Sequence, residues 1–186
     1  MISGPARSGK TTLLNVLAGV DRASSGSVYV SGIEVTELSE HGLAEYRHQH
    51  AGYVTQPAGL LAGYTVRDNV ELPLLFRGSS EQERWQRASE ALRIVNLYES
   101  HSWFVERLTQ EQKQRVSIAR AIVHRPVILL ADEPTLKLAM PQRISIAKLL
   151  RRIARFRHVV VASRDPSVIQ LAHQVIKLHK EVNGFS

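Results

Sequence analysis

The chain has no cysteine, which excludes a disulfide scaffold and any thiolate metal site and fits a protein of the cytosol. It also lacks a long apolar run: nothing approaches the roughly 20 residues that a membrane-spanning helix requires. The opening MISGPARSGK reaches Gly4 and Pro5 without a basic segment followed by an apolar stretch, so it does not read as a secretory signal. Internal repeats and low-complexity tracts are missing. Proline is held to 7 positions in a composition 44% hydrophobic and 22% charged, which argues against disorder. What these absences leave is a soluble chain of 186 residues, long enough for one full core or one core with a small appended lobe.

Acidic residues are outnumbered as well, 17 against 24 Lys and Arg, and the net charge of +7 suits an anionic partner: a nucleotide, a nucleic acid or a lipid surface. The densest basic stretch is KLLRRIARFRH, where Lys148, Arg151, Arg152 and Arg155 recur at helical spacing opposite Leu149, Ile153 and Phe156. It reads either as a solvated helix face or as a binding stripe, and charge alone does not choose between them.

What is present is an alternation of element types. LLNVLAGV is helix material that ends near Gly19, VYVSGIEV reads as a strand pair or bulged strand around Gly32, and AGYVTQP is a short strand stopped by Pro57. From Tyr64 to Ser102 the texture is helical, with Trp85, Ala88, Leu92 and Val95 on one face. A helix follows in TQEQKQRVSIARAIVH, then a fully buried strand in VILLA, a helix opened by Pro141, and a second buried strand in HVVVAS. Strands that are apolar throughout and alternate with helices indicate an α/β fold with a parallel sheet covered on both faces. One domain over 1–186 is expected, with 1–60 and 107–186 forming the core and 61–106 an inserted helical subdomain.

GPARSGKT fits the pattern G-x-x-x-x-G-K-[ST] with a helix starting directly behind it. Such a loop, here Gly4, Pro5, Ala6, Arg7, Ser8, Gly9, Lys10, Thr11 and Thr12, points backbone N–H groups at phosphate oxygens while the helix start adds partial positive charge. Lys10 would reach the β- and γ-phosphates, and the Thr11 hydroxyl would ligate magnesium. VILLADE sets Asp132 and Glu133 at the C-terminal end of a buried strand, the edge at which α/β sheets bind ligands. Asp132 can hold magnesium through water and Glu133 can polarise an attacking water; the plainer alternative is two acids capping a strand end before a turn. Gln56, after GYVT, could sense the magnesium or the water, although a Gln before Pro57 is commonly an ordinary turn residue.

With these motifs in order, the chain resembles the ATP-binding cassette of ABC transporters, through the phosphate loop, GYVTQ, YTVRDNVELPLLFRG, LTQEQKQRVSIARAIVHRPVILLADEPT and VVVASRD. Within that superfamily it looks most like the macrolide-exporter, lipoprotein-release and cell-division group. The resemblance implies a P-loop NTPase with a RecA-like core and a helical lobe, using ATP and Mg2+. It also implies dimerisation, with each ATP lying between one subunit's phosphate loop and the partner's signature helix. Catalysis would fall to Glu133, Gln56 and the residue at position 164, and magnesium to Thr11, Gln56 and Asp132.

The departures matter as much. Thr109, Gln110, Glu111 and Gln112 hold the signature, with Gln110 and Glu111 where the family has two glycines; Ala139 stands where an Asp is expected, and Arg164 where the switch histidine would be. Arg164 can hold a γ-phosphate as a fixed cation but cannot take the neutral form a histidine uses near pH 7. Only Met1 to Ser3 precede Gly4, whereas the family has a full central strand there and before it a strand carrying an adenine-stacking aromatic, so the expectation is either N-terminal truncation or nucleotide binding without that stack.

Glycines in a signature let the backbone approach the partner's γ-phosphate, and a Cβ obstructs it. A carboxylate roughly 5 Å from one phosphate charge, at an effective dielectric of about 20, is repelled by about 3 kcal/mol. That weakens the closed dimer by up to about a hundredfold. The same segment is also a sound helix start: Thr109 with Gln112 makes a capping box, and Glu111 suits the helix dipole.

The resulting expectation is an ATP-binding subunit of an export system, impaired in hydrolysis as a homodimer, docked on a membrane permease through Leu74, Leu75 and Phe76 or with those residues in its own core. It would be cytoplasmic, peripheral on the inner face of the plasma membrane. The alternative is a non-catalytic regulatory cassette in a heterodimer with another cassette. A nucleic-acid-associated cassette is disfavoured, since no second cassette, long inserted arm or basic run interleaved with aromatics is seen.

Overall fold

A computed structural model describes residues 1–55 and 57–179. In chain order the elements are β1 (Ile2–Ser3), α1 (Lys10–Leu17), β2 (Tyr29–Val30), β3 (Ile33–Glu34), α2 (Glu40–Gln49), β4 (Ala51–Val54), α3 (Val66–Leu75) and α4 (Glu81–Ile94). Then come α5 (Gln110–Ile122), β5 (Ile128–Asp132), α6 (Met140–Ile153), β6 (His158–Ala162), α7 (Pro166–Ile169) and β7 (Ile176–Lys177). Five strands form one sheet in the order β4-β5-β6-β1-β7, parallel at every pairing, and β2 and β3 form a separate antiparallel hairpin. This is the mostly parallel α/β sheet of a P-loop NTPase core, with the phosphate loop leaving β1 and the acids ending β5 at the same sheet edge.

The helix starts follow from their capping residues. Thr65 and Asp68 form a reciprocal box at α3, and Ser80 Oγ accepts from the Glu83 N–H at 3.2 Å at α4. Behind those starts Val66, Val70 and Leu74 of α3 and Ala88 and Leu92 of α4 are fully buried against Val116, Ile118 and Ala119 of α5. Removing any one of the large side chains would cost about 2–5 kcal/mol. Trp85 is only half-buried, with the Arg67 guanidinium 4.4 Å over its ring, so the apolar face of α4 begins at Ala88. A second cluster gathers Leu14, Ala18, Leu43, Tyr46 and Leu130 under α1 and the phosphate loop.

Three expectations are corrected by packing. The strand in HVVVAS is not buried throughout: β1 pairs with β6 only at Ile2↔Ala162, so Val159 and Val160 stay half-buried beside an apolar cavity of about 490 Å³. Phe156 lies beyond the end of α6, where helical spacing no longer governs, and is 83% exposed while Leu149 and Ile153 are buried. The trio near the end of α3 divides: Leu74 belongs to the core, whereas Leu75 is half-exposed and Phe76 is 78% exposed.

Candidate functional site

The phosphate loop turns between β1 and α1 on two unusual backbone positions, Arg7 at φ 61° and Gly9 at φ 86°. Gly9 is the N-cap of α1, and a residue with a Cβ would be strained there. No side chain caps the helix and no acid lies in its first turn, so its start is left to an external anion. Gly4 opens the loop against the Leu178 carbonyl, which an added Cβ would meet at 2.7 Å. The Lys10 ammonium folds back on the loop, donating to the carbonyls of Gly4 at 2.9 Å and Pro5 at 2.7 Å. A phosphate would offer the same ammonium anionic acceptors in place of those neutral ones. Pro5, Ala6, Arg7, Thr11 and Thr12 are exposed along the loop and the start of α1.

Across from it, β5 delivers its two acids to different tasks. The Thr11 hydroxyl donates to Asp132 Oδ2 at 2.7 Å, while Asp132 Oδ1 is buried with no hydrogen-bond partner among the described residues. A hydroxyl and a carboxylate oxygen at the loop, one of them buried and unsatisfied, are hard donors of the kind magnesium takes when phosphates and water complete its shell. The residues present fit that ion. Tyr53 stands nearby, donating to Asn15 Oδ1 at 2.9 Å; burial first, then the charges of Asp132 and Asp21, push its phenol up to about 12. Gln56 lies outside the described residues.

Glu133 is held at φ 43°, a left-handed conformation that costs a non-glycine residue about 1–3 kcal/mol, by its N–H bond to the Ala162 carbonyl at 2.8 Å. Its carboxylate accepts from Ser163 Oγ at 3.1 Å and from the Arg164 N–H at 3.4 Å, and the Arg164 Nε lies 3.4 Å from its other oxygen. Arg164 is therefore engaged with Glu133 of its own chain. Because the Ser163 N–H donates to the Ile2 carbonyl at 3.1 Å, Arg164 also lies close to where the loop begins. Neighbouring Asp165 is partly buried, which by itself raises its pKa. Hydrogen bonds from Ser167 and Thr135 outweigh this and hold it below the ordinary carboxylate value.

The signature segment starts α5. Thr109 Oγ1 accepts from the Gln112 N–H at 3.3 Å and Gln112 Oε1 accepts from the Thr109 N–H at 2.9 Å, the reciprocal box that their spacing predicts. Gln110 is exposed at the helix start. Glu111 corrects its expectation. One of its oxygens takes Arg115 Nε at 3.1 Å, Arg115 Nη2 at 3.0 Å and the Ser145 hydroxyl at 2.8 Å. Arg115 also donates to the Val95 carbonyl at 2.8 Å, so the carboxylate is one corner of a tie between α4, α5 and α6. Its charge is met inside the subunit, which lowers the repulsion expected from it at a partner's phosphate. Arg115 was readable as an i+4 partner, but Ser145, 34 residues away, left no signal in sequence. Ala139 starts α6 with half a box: its N–H donates to Gln142 Oε1 at 3.1 Å, and it has no oxygen to return.

Residues 1–136 match the family described as ABC transporter. The chain is 35% identical over 183 residues to the ABC transporter ATP-binding protein YtrE of Bacillus subtilis, covering 97% of this chain and 79% of that one. It is 35% identical over 178 residues to the macrolide export ATP-binding/permease protein MacB of Escherichia coli K12, covering 95% of this chain but 28% of MacB. Among solved structures, the dimeric post-hydrolysis state of the ATP-binding cassette MJ0796 bound to ADP and Pi superposes with a TM-score of 0.84 at 35% identity, over 97% of this chain and 82% of that one.

Proposed function

The chain belongs to the ABC transporter family as an ATP-binding cassette, and from that premise we propose that it binds MgATP, pairs with a second cassette and drives a membrane permease for export. We further propose that hydrolysis is weak when both cassettes are this chain. The observation that carries the second part is the engagement of Glu133 by Ser163 and Arg164 within one subunit.

In this reading the loop amides and Lys10 receive the phosphates, and Thr11 with Asp132 holds magnesium, which when bound neutralises phosphate charge. Glu133 orients the attacking water and takes its proton as the water oxygen bonds to the γ-phosphorus and the bond to the ADP oxygen breaks. Arg164 has to leave Glu133 first. A γ-phosphate offers the guanidinium a second anion, but the arginine then remains a permanent cation where a histidine could exchange protons. Gln110 supplies the other defect, since it is presented to the partner's nucleotide.

The cassette is proposed to sit at the inner face of the plasma membrane, held to its permease through exposed Leu75 and Phe76. The Arg164–Glu133 pair also supports a second reading, a regulatory cassette that gates a partner by binding ATP without useful turnover. Titration with labelled ATP and steady-state phosphate release, on the chain alone and co-purified with a neighbouring permease, separates the two. Binding with slow release that rises on the permease supports the first reading; binding with no release in either setting supports the second; no binding contradicts both.

A further inference from the structure

The basic stretch at the end of α6 does not run over a smooth helix face. It borders a cleft of about 400 Å³ where the last turns of α4, α5 and α6 converge. That volume lies within the range of about 300–1,000 Å³ typical of pockets that take up a ligand. Ile122 and Ile153 line it deep in the fold, and Ile94 and Phe156, 38% and 83% exposed, stand at the rim. A large aromatic and an isoleucine left open to water around a concavity are the unpartnered apolar surface that interaction sites show.

The polar part of the rim carries one sign only. Arg93, Arg152 and Arg157 line the cleft and no Asp or Glu does. None of these arginines forms a salt bridge among the described residues, whereas Arg125 nearby is paired with Glu90 at 2.8 Å. Arg93 lies over the Tyr98 ring at 4.1 Å and Arg152 donates to the Ile94 carbonyl, so both are held in place with their charge unanswered. Arg157 Nη1 is buried with no hydrogen-bond partner among the described residues. Burial first, then the charge of Arg125, holds the Arg157 guanidinium below the ordinary arginine value. A half-buried guanidinium with an unsatisfied N–H beside another cation is a costly arrangement that an incoming carboxylate would relieve.

We propose that this cleft docks an acidic amphipathic peptide segment of a partner protein, its apolar side chain seated between Ile94 and Phe156 and its carboxylates on Arg93, Arg152 and Arg157. Concavity decides against the other anionic surfaces. Ile122 and Ile153, buried at the floor of the cleft, are out of reach of a flat bilayer, and a polynucleotide backbone brings phosphates without an aliphatic group to cover the isoleucines. The cleft is remote from the start of α5: Ile122 ends that helix about 18 Å along its axis from Gln110. No residue of the phosphate loop or of the start of α5 lines the cleft, and the inference holds whatever the chain does with ATP.

The test pans the full-length chain against a display library of random dodecapeptides and measures the enriched peptides, fluorescein-labelled, by anisotropy. The expected result is enrichment of sequences combining Asp or Glu with Leu or Phe, whose affinity falls at least tenfold in Phe156→Ser and in Arg93→Glu while both variants keep the parent's ATP affinity. Both positions are exposed, so folding survives the changes. Three results would overturn the proposal. The selection could yield no acidic–apolar consensus, or enriched peptides could bind both variants as tightly as the parent. Phosphatidylglycerol vesicles or poly-uridine RNA could bind more tightly than the peptides with the same dependence on Phe156 and Arg93.

Discussion

Helices α1 and α5 both start at the nucleotide-binding face expected of this family, yet they treat their first backbone N–H groups in opposite ways. α1 begins on Gly9, with no capping side chain and no acid in its first turn, and Lys10 beside it. α5 begins on Thr109, whose hydroxyl takes the Gln112 N–H while Gln112 reaches back, and Glu111 follows in the first turn. Each helix start carries roughly half a positive charge. At α1 that charge and those donors are offered outward; at α5 part of both is used by the helix's own side chains. A helix N-terminus becomes an anion site only where the sequence declines to fill it. The box of Thr109 and Gln112 secures α5, while Gln110, which makes no cap, is the residue proposed to hinder a partner's phosphate.

The largest effect belongs to the open start. Lys10→Ala replaces the loop's one close ammonium, and losing charge-assisted bonds to two phosphates, at about 1.5–3 kcal/mol each, predicts at least a hundredfold loss of affinity for labelled ATP. Equal affinity in wild type and variant would mean that α1 is not the phosphate site, and the comparison would fail at its first term. Next comes Glu111→Ala at the filled start. It strands Arg115 without its carboxylate and frees Ser145, so stability should fall by about 1–3 kcal/mol in chemical denaturation. An unchanged midpoint would mean that Glu111 does face outward and that its charge is free to repel a partner's nucleotide. The smallest effects form a mirrored pair. Thr109→Ala removes a cap and should cost about 1 kcal/mol, whereas Ala139→Asp supplies the missing oxygen at the start of α6 and should gain about 0.5–1 kcal/mol. If both move stability the same way, capping does not explain these helix starts.

The open start, the strand that ends in Asp132 and Glu133, and the box at Thr109 were legible in sequence because each rests on residues within about one helical turn or one strand of each other. The hairpin around Gly32 and the stop near Gly19 were local in the same sense. What escaped depends on distant partners or on where an element ends. The direction of the Glu111 carboxylate is set by Ser145 on another helix, and the grip on Glu133 by Ser163 and Arg164 just past the end of β6. Phe156 fell outside its stripe because α6 stops at Ile153. The two-residue β7 has no pattern of its own and is in the sheet through its register with Ile2 and Ser3.

The central proposal is that this chain binds its own nucleotide but hydrolyses it weakly, with Arg164 as a brake on Glu133 and Gln110 as an obstruction to the partner's nucleotide. ATP hydrolysis by the isolated chain, by Gln110→Gly and by Gln110→Gly with Arg164→His tests it most directly, with Glu133→Gln as the silencing control in each. The account predicts low, intermediate and highest rates in that order, at least tenfold from first to last, and no turnover once Glu133 is replaced. An unmodified chain that already matches the doubly substituted one would contradict it.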